Sequence, residues 1–242
     1  MAEPAHYKRP NRIERIKSQV ISMSETARIT LELIRAEGID SVTIRRLAAE
    51  MDVKSASLYY HFHNKEEILV LAARRVLEGV RGSGNPDLHW REWLLDNTCT
   101  ARAALLEYPE LVPTLMRRHP LGIGVTEHEQ AVLLLEKQGM PLGAIMPVFD
   151  ALESLLYGSV MYTTAVASDD RSAEWRDQYP AMHRAGLSAD LSSEDAFRHA
   201  AGALIDGIVA AVVVPQRSKQ SPHRNMKTAS AINKSSRRNN TS

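Results

Sequence analysis

The stretch at residues 43–65, TIRRLAAEMDVKSASLYYHFHNK, constrains the fold of this chain more than any other. Its first apolar residues recur at helical spacing, at Ile44, Leu47, Ala48 and Met51. Thr43 is a good residue to cap the start of that helix. Asp52 follows where the chain must turn, and a second helix opens at Lys54. The stretch therefore predicts two short helices joined by a tight turn.

The second helix of the pair carries side chains that suit the major groove of DNA. Small and polar residues stand at its start, namely Lys54, Ser55, Ala56 and Ser57. Such residues let the backbone approach closely and offer hydroxyls and an amine to base edges and phosphates. Leu58 turns inward, and Tyr59, Tyr60 and His61 form a cluster that can stack and hydrogen-bond. By itself the motif also fits a small helical hairpin whose aromatics fill a core.

Charge is distributed unevenly along the 242 residues, although the net charge is only +1. Residues 1–65 hold 11 Lys and Arg against 8 Asp and Glu, a net charge of +3. Residues 66–214 hold 12 against 21, a net charge of −9, and residues 215–242 hold 7 against none. A positive module before an acidic body suits a protein that docks one end on phosphate and keeps the other end off it.

Capping signals and turn formers divide the chain into domains. Ser22 and Glu25 form a capping box for a bracing helix that stops at Gly38. A dense run of turn formers at residues 82–86, GSGNP, marks a domain boundary. We predict a flexible basic arm over 1–21, a helix-turn-helix DNA-binding domain of three helices with its linking helix over 22–81, a larger helical ligand-binding and dimerisation domain over 87–214, and a disordered basic tail over 215–242. The predicted fold is all-α. The arm either contacts DNA or is simply solvated.

Two apolar segments of the second domain predict a homodimer. Residues 142–166 are apolar on more than one face, which indicates a helix buried on several sides. Residues 197–214 carry small side chains at helical spacing, which allow close approach of another helix. In a soluble protein of this size we expect one side to meet the domain core and the other a partner subunit. Ordinary packing within one chain is the alternative.

No pattern in the chain predicts catalysis. Phosphate-binding loops, zinc-binding HExxH and the GxSxG of hydrolases are all missing from the sequence. Cys99 stands alone among apolar neighbours, and the histidines are scattered. We expect no catalytic residues, no cofactor and no metal. No signal peptide and no apolar run near the length of a membrane span are evident, so we expect no membrane contact and a cytoplasmic location.

Residues 24–70, within which TIRRLAAEMDVKSASLYYHFHNKEEIL stands, resemble the DNA-binding signature of the TetR family of bacterial transcriptional regulators. Residues 87–214 are similar to the ligand-binding and dimerisation region of that family. The resemblance implies that Thr43 and Arg45 contact phosphate and base. It implies that Lys54, Ser55, Ala56 and Ser57 face the groove, and that Tyr59, Tyr60, His61 and Lys65 hold the DNA backbone.

The chain departs from the family pattern at two places. Asp52 stands in the turn where the family usually has Gly, and Asp is among the few other residues that tolerate a left-handed conformation. The tetracycline-repressor branch uses a histidine and a glutamate to reach a drug-bound magnesium ion. His119 matches the histidine, but Tyr162 or a neighbour stands at the place of the glutamate. We therefore expect a ligand without chelated magnesium.

The predicted function is a homodimeric repressor that binds a palindromic operator in double-stranded DNA and is released by an unknown small molecule. Candidate ligand residues are aromatic, polarizable or polar members of helices expected to line a pocket: Trp93, Met116, His119, Met146, Phe149, Glu153 and Tyr157. Plain core packing is the alternative for each. An enzyme of unknown type and a constitutive DNA-anchoring protein are the competing functions.

Overall fold

The computed structural model describes residues 22–81, 87–117, 125–167, 176 and 178–219. These residues form ten α-helices and two 3-10 helices, with no strand among them, which confirms the predicted all-α fold. The predicted basic arm, the candidate ligand residue His119 and residues 220–242 lie outside the described part of the chain.

The N-terminal helices follow one another over short connections. They are α1 (Met23–Glu37), a 3-10 turn (Ile39–Ser41), α2 (Ile44–Glu50), α3 (Ser55–His61) and α4 (Lys65–Arg81). Half of the predicted capping box at the start of α1 forms. Ser22 Oγ accepts a hydrogen bond from the Glu25 N–H at 3.3 Å, whereas the Glu25 carboxylate accepts from Arg28. Gly38 ends α1 with φ at 81°, a left-handed value that glycine adopts without strain.

The remaining helices form the C-terminal body. They are α5 (Trp90–Leu106), a 3-10 turn (Pro109–Leu111), α6 (Val112–Arg117), α7 (Val125–Lys137), α8 (Leu142–Ala167), α9 (Pro180–Leu187) and α10 (Ser193–Lys219). Two boundaries differ from the sequence-based expectation. The last long helix begins at Ser193 rather than Phe197. It also continues to Lys219, so the first residues of the predicted disordered tail are helical.

Two hydrophobic clusters hold the molecule together, and the first joins the DNA-binding domain to the body. It runs from Leu47 and Leu58, which are both fully buried, through α4 to Leu105 and Leu156. The second cluster fills the space between α5, α7, α8 and α10. Because α4 packs on both α1 and α5, it is the structural link between the two regions.

The two longest helices, α8 and α10, pack against each other and against α5. Within them, 142–165 and 193–213 are long and apolar enough to cross a membrane by length and composition, contrary to the expectation that no apolar run would reach that length. Their surroundings are those of a helical bundle. The buried Arg102 on α5 donates to Ser159 and Thr163 of α8 at 3.1 Å and to Ser193 of α10 at 2.8 Å. Such satisfied polar contacts are typical of core helices.

A surface ion pair also ties α5 to α10. Arg91 Nε and one terminal nitrogen each donate to a carboxylate oxygen of Asp206 at 2.6 Å. This bidentate contact lowers the pKa of Asp206 below its ordinary value.

Candidate functional site

The turn between α2 and α3 is closed by a left-handed residue. Asp52 has φ at 52°, and it is the one described residue other than glycine with a positive φ. The Val53 N–H donates to the Ala48 carbonyl at 2.9 Å, and the Asp52 N–H donates to the Ala49 carbonyl at 3.2 Å. These two bonds make a Schellman motif, which satisfies carbonyls at the end of a helix. Asp52 therefore serves where glycine is usual, as expected from its tolerance of this conformation.

Helix α3 buries one apolar side chain and exposes polar side chains to solvent. Leu58 is fully buried, and Phe62 directly after the helix is 4% exposed. Lys54, Ala56, Tyr59 and Tyr60 are exposed, and Ser55, Ser57 and His61 are half-buried. Tyr60 is 85% exposed and meets the His61 ring edge-on, with ring centroids 5.2 Å apart. An exposed tyrosine of this kind is available for a phosphate or a base.

The two arginines of α2 differ in what they contact. Arg46 lies within 2.9 Å of both Glu37 and Glu50, so its guanidinium is paired inside the protein. Arg45 is exposed, and the structure gives it no ion pair among the described residues. Thr43 caps α2, with its Oγ1 accepting from the Arg46 N–H at 3.1 Å. Arg45 is therefore the arginine of this helix whose guanidinium is free for a ligand.

A cavity of about 670 Å³ lies between α4, α5, α7 and α8. Its wall comprises Leu77, Glu78, Val80, Trp93, Leu94, Asn97, Thr98, Ala101, Glu127, His128, Gln130, Ala131, Leu134, Phe149, Leu152, Glu153, Leu156 and Tyr157. Its size and its mostly apolar wall with a few polar groups are typical of small-molecule sites.

Two family models match consecutive parts of the chain. The model of the bacterial regulatory proteins of the tetR family matches residues 29–72, and the tetracyclin repressor-like C-terminal domain matches residues 84–213. The second match alone covers more than half of the chain. This chain belongs to the TetR family. It is therefore a DNA-binding transcriptional regulator.

Named relatives of this TetR family protein include tetracycline repressors. The class C repressor of Escherichia coli is 28% identical over 144 residues, which are 59% of this chain and 66% of that protein. The class D repressor of Escherichia coli is 27% identical over 185 residues, covering 73% and 84%. The solved structure of the Streptomyces coelicolor TetR family protein ActR in complex with (S)-DNPA has a TM-score of 0.65 at 25% identity, covering 79% of this chain and 98% of that chain.

The residues predicted to contact DNA lie on α2 and α3, at the N-terminal ends of these two helices, and at Lys65, where α4 begins. Lys65 Nζ donates to the Ile39 carbonyl at 2.7 Å, so part of its bonding capacity is used within the domain. An ammonium carries three N–H donors, and two others remain for a phosphate. The individual DNA roles of these residues stay predictions.

The structure brings some of the predicted ligand residues together and leaves others apart. Trp93, Phe149, Glu153 and Tyr157 line the cavity. Met116 and Met146 are not in the described wall, and they are 61% and 41% exposed. His119 lies outside the described residues. Which residues touch an effector stays a prediction.

Six polar wall residues were not among the predicted ligand residues: Glu78, Asn97, Thr98, Glu127, His128 and Gln130. His128 Nε2 lies 3.2 Å from Glu153 Oε1, and its ring meets Phe149 edge-on at 5.6 Å between centroids. In the sequence this histidine is one of several scattered along the chain. A useful signal was its phase on α7, since Ala131 three residues later also faces the cavity. For Asn97 the signal was its four-residue spacing from Trp93 on α5.

The Cys99 thiol and the possible metal-binding side chains do not form a reactive centre in the part of the chain that the structure describes. Burial raises the pKa of the Cys99 thiol, which disfavours the reactive thiolate. Within the described ranges no three His, Cys, Asp or Glu residues cluster in a way that holds a metal ion. Tyr162 is 73% exposed on α8.

Proposed function

We propose that this chain is a cytoplasmic homodimeric repressor that binds a palindromic operator and leaves it when a small molecule fills the cavity. The observation that carries the proposal is the position of α4. This helix begins at Lys65, four residues after α3 ends, and its far end supplies Leu77, Glu78 and Val80 to the cavity wall. A ligand that shifts the far end of α4 also shifts the base of α3.

The exposed apolar surface of α8 supports a dimer. Leu142, Met146 and Met161 are 62%, 41% and 41% exposed, although they lie on an apolar helix. Exposed apolar patches of this kind mark interaction surfaces. A second copy seated there would form a two-fold symmetric dimer, and a palindromic operator has the same symmetry.

The spacing of the two α3 helices would decide whether the operator is bound. Half-sites on B-DNA are read about 34–36 Å apart, one helical turn. A ligand shifts the equilibrium between the binding and non-binding spacings only by its differential affinity for the two, typically about 1–3 kcal/mol. The relatives named as tetracycline repressors, and the ActR structure with its bound (S)-DNPA, support a small-molecule effector for this chain.

The experiment begins with selection of bound sequences from a random DNA pool. We expect an inverted repeat, bound by two protein chains in sedimentation analysis, with an affinity that falls as salt rises because Lys and Arg displace counterions from phosphate. A compound library is then screened for release of a labelled operator. DNA binding without release by any compound that enters the cavity would indicate a constitutive DNA-anchoring protein instead, and a monomer on the DNA would refute the dimer.

A further inference from the structure

We infer that the basic arm (residues 1–21) binds the DNA backbone close to the half-site that α3 contacts, and that the basic C-terminal segment (residues 220–242) does not. This inference rests on the proposed function, because it adds a second contact to the same operator complex. It is carried by the place where the arm joins the DNA-binding domain, by the direction of α10 and by the charges of the two terminal segments.

The arm joins the DNA-binding domain beside the turn of the helix-turn-helix. The structure describes the chain from Ser22 onward, and the Ser22 carbonyl accepts from the Thr26 hydroxyl at 2.9 Å. The same hydroxyl lies 3.7 Å from Met51 Sδ. Met51 caps the end of α2 and directly precedes the left-handed Asp52. Because Thr26 is fully buried, this junction is part of the packed domain. The arm therefore leaves the domain close to the start of α3.

The two ends of α1 face different parts of the molecule. Near its end, Arg35 lies 2.8 Å from Glu107, which follows α5, and its guanidinium lies 5.1 Å from the centroid of the Tyr108 ring. Ser22 is about 20 Å from Arg35 along the helix axis. The end of α1 thus contacts the body, and its start contacts the helix-turn-helix. The arm leaves from the end that is remote from the acidic body.

The charge of the arm suits phosphate. Residues 1–21 hold two Glu and five cations, which are Lys8, Arg9, Arg12, Arg15 and Lys17. An extended chain over residues 8–21 spans at most about 50 Å, so these cations can reach phosphates within about one turn of B-DNA from the junction. Glu25, the acid nearest the junction on α1, is already paired with Arg28 at 2.6 Å. Lys and Arg on phosphate displace counterions and add affinity without reading sequence.

The C-terminal segment starts at the opposite end of the molecule. Phe197, near the start of α10, belongs to the hydrophobic cluster that includes the DNA-binding domain. Val212 packs in the second cluster, where a Cβ on Gly143 would lie 3.4 Å from its Cγ1. Helix α10 therefore runs away from the DNA-binding domain, and its last residue, Lys219, is about 33 Å beyond Phe197 along the axis. Residues 220–242 also hold five cations, but they follow a body whose net charge is −9 over residues 66–214.

Neutralising five cations in either segment of the full chain provides a matched test. The arm variant combines Lys8→Gln, Arg9→Gln, Arg12→Gln, Arg15→Gln and Lys17→Gln. The control combines Arg224→Gln, Lys227→Gln, Lys234→Gln, Arg237→Gln and Arg238→Gln, which removes the same charge. Fluorescence anisotropy measures binding to the selected operator, placed in a longer duplex, at several salt concentrations.

We expect the arm variant to bind the operator about tenfold more weakly at about 0.1 M salt, and the control to change by less than about twofold. The slope of log affinity against log salt should become shallower by about 0.9 for each phosphate contact that the arm variant loses. The preference among operator sequences should stay the same, because phosphates carry no sequence information. An unchanged arm variant, an equal loss in the control, or a loss that depends on the neighbouring base sequence would overturn the inference.

A tethered cleavage reagent locates each segment on the DNA with a single new cysteine. An iron chelate that generates hydroxyl radicals is attached to Ser18→Cys or to Ser221→Cys, each in a Cys99→Ala chain, since Cys99 is the natural cysteine. We expect strand cleavage close to each half-site from position 18 and only background cleavage from position 221. The reverse pattern, or background cleavage from both, would contradict the inference even if a five-fold variant fails to fold.

Operator selection by the natural chain separates this inference from the proposed function. A chain that selects no operator refutes the repressor. A chain that binds an operator with the same affinity before and after neutralisation of the arm refutes only the DNA contact assigned to the arm.

Discussion

The predicted DNA contacts of the helix-turn-helix all lie within residues 43–65. The residues that line the cavity, in contrast, belong to four helices between Leu77 and Tyr157. The first site is local in sequence, and the second depends on how distant helices pack. A local site can be recognised from spacing and capping. The cavity could be anticipated only as a set of candidate helices, because its shape is a property of their arrangement.

The two regions also differ in how completely they are packed. Leu47 and Leu58 in the DNA-binding domain are fully buried. In the body, Leu152 and Leu156 are buried against the second and first clusters, but they also face the cavity. Side chains that border open space lose dispersion contacts on that side. Truncating a side chain in the cavity wall should therefore lower the free energy of unfolding less than truncating a buried side chain of the DNA-binding domain.

The same truncation in both regions tests this difference most strongly. Leu58→Ala should lower the free energy of unfolding by about 3–5 kcal/mol, because it empties a fully packed site beneath α3. Leu152→Ala should cost about 2 kcal/mol, since the cavity already removes contacts on one side. Urea denaturation followed by circular dichroism measures both. Equal losses would mean that the cavity is packed as tightly as the DNA-binding domain.

The next largest effect concerns the paired and unpaired arginines of α2. Arg45→Ala should weaken operator binding by about 1–3 kcal/mol and relax the preference at one base, if Arg45 contacts a base. Arg46→Ala is the matched control. Its guanidinium is held by Glu37 and Glu50, so we expect a smaller loss of DNA affinity. Fluorescence anisotropy on a set of operator variants gives both values, and a uniform loss across sequences would make Arg45 a phosphate contact.

Left-handed residues in the two regions give a third, smaller comparison. Gly139 between α7 and α8 has φ at 84°, and a Cβ added there would meet open space, so only backbone strain matters. Gly139→Ala should destabilise the chain by about 1 kcal/mol. Asp52→Gly should instead stabilise it by about 0.5 kcal/mol, because it relieves strain in the helix-turn-helix. Thermal unfolding of both proteins checks the opposite signs, and a loss of stability in Asp52→Gly would show that the aspartate side chain contributes more than its strain costs.

The smallest effect on stability is expected at an exposed ion pair between the two regions. Arg117 Nε on α6 lies 3.2 Å from Glu66 Oε1 in the first turn of α4. Arg117→Gln should change the free energy of unfolding by less than about 1 kcal/mol, as is usual for exposed ion pairs. If the contact transmits the ligand signal, the ligand-induced change in operator affinity should fall by about twofold or more. An unchanged ligand response in an operator titration would remove Arg117 from the coupling between cavity and DNA.

Several elements were predictable from sequence because their causes lie within a few residues. The N-cap at Ser22, the stop at Gly38 and the left-handed Asp52 each depend on hydrogen bonds between near neighbours. Asn64 before α4 is held by a local bond of the same kind, since its Oδ1 accepts from the Glu67 N–H at 3.0 Å. The extension of α10 to Lys219 was missed because polar, basic composition alone does not decide where a helix ends.

The sequence by itself determined the helices, the tight turn and the exposed polar face of α3, because backbone hydrogen bonding, capping and helical spacing act locally. The tertiary structure alone decided that His128 of α7 and Glu153 of α8 stand 3.2 Å apart beside a cavity. These residues are 25 positions apart. Which faces of two helices meet depends on the side chains of every helix packed around them. The physical reason is that a cavity is the space that all of these helices together leave unfilled.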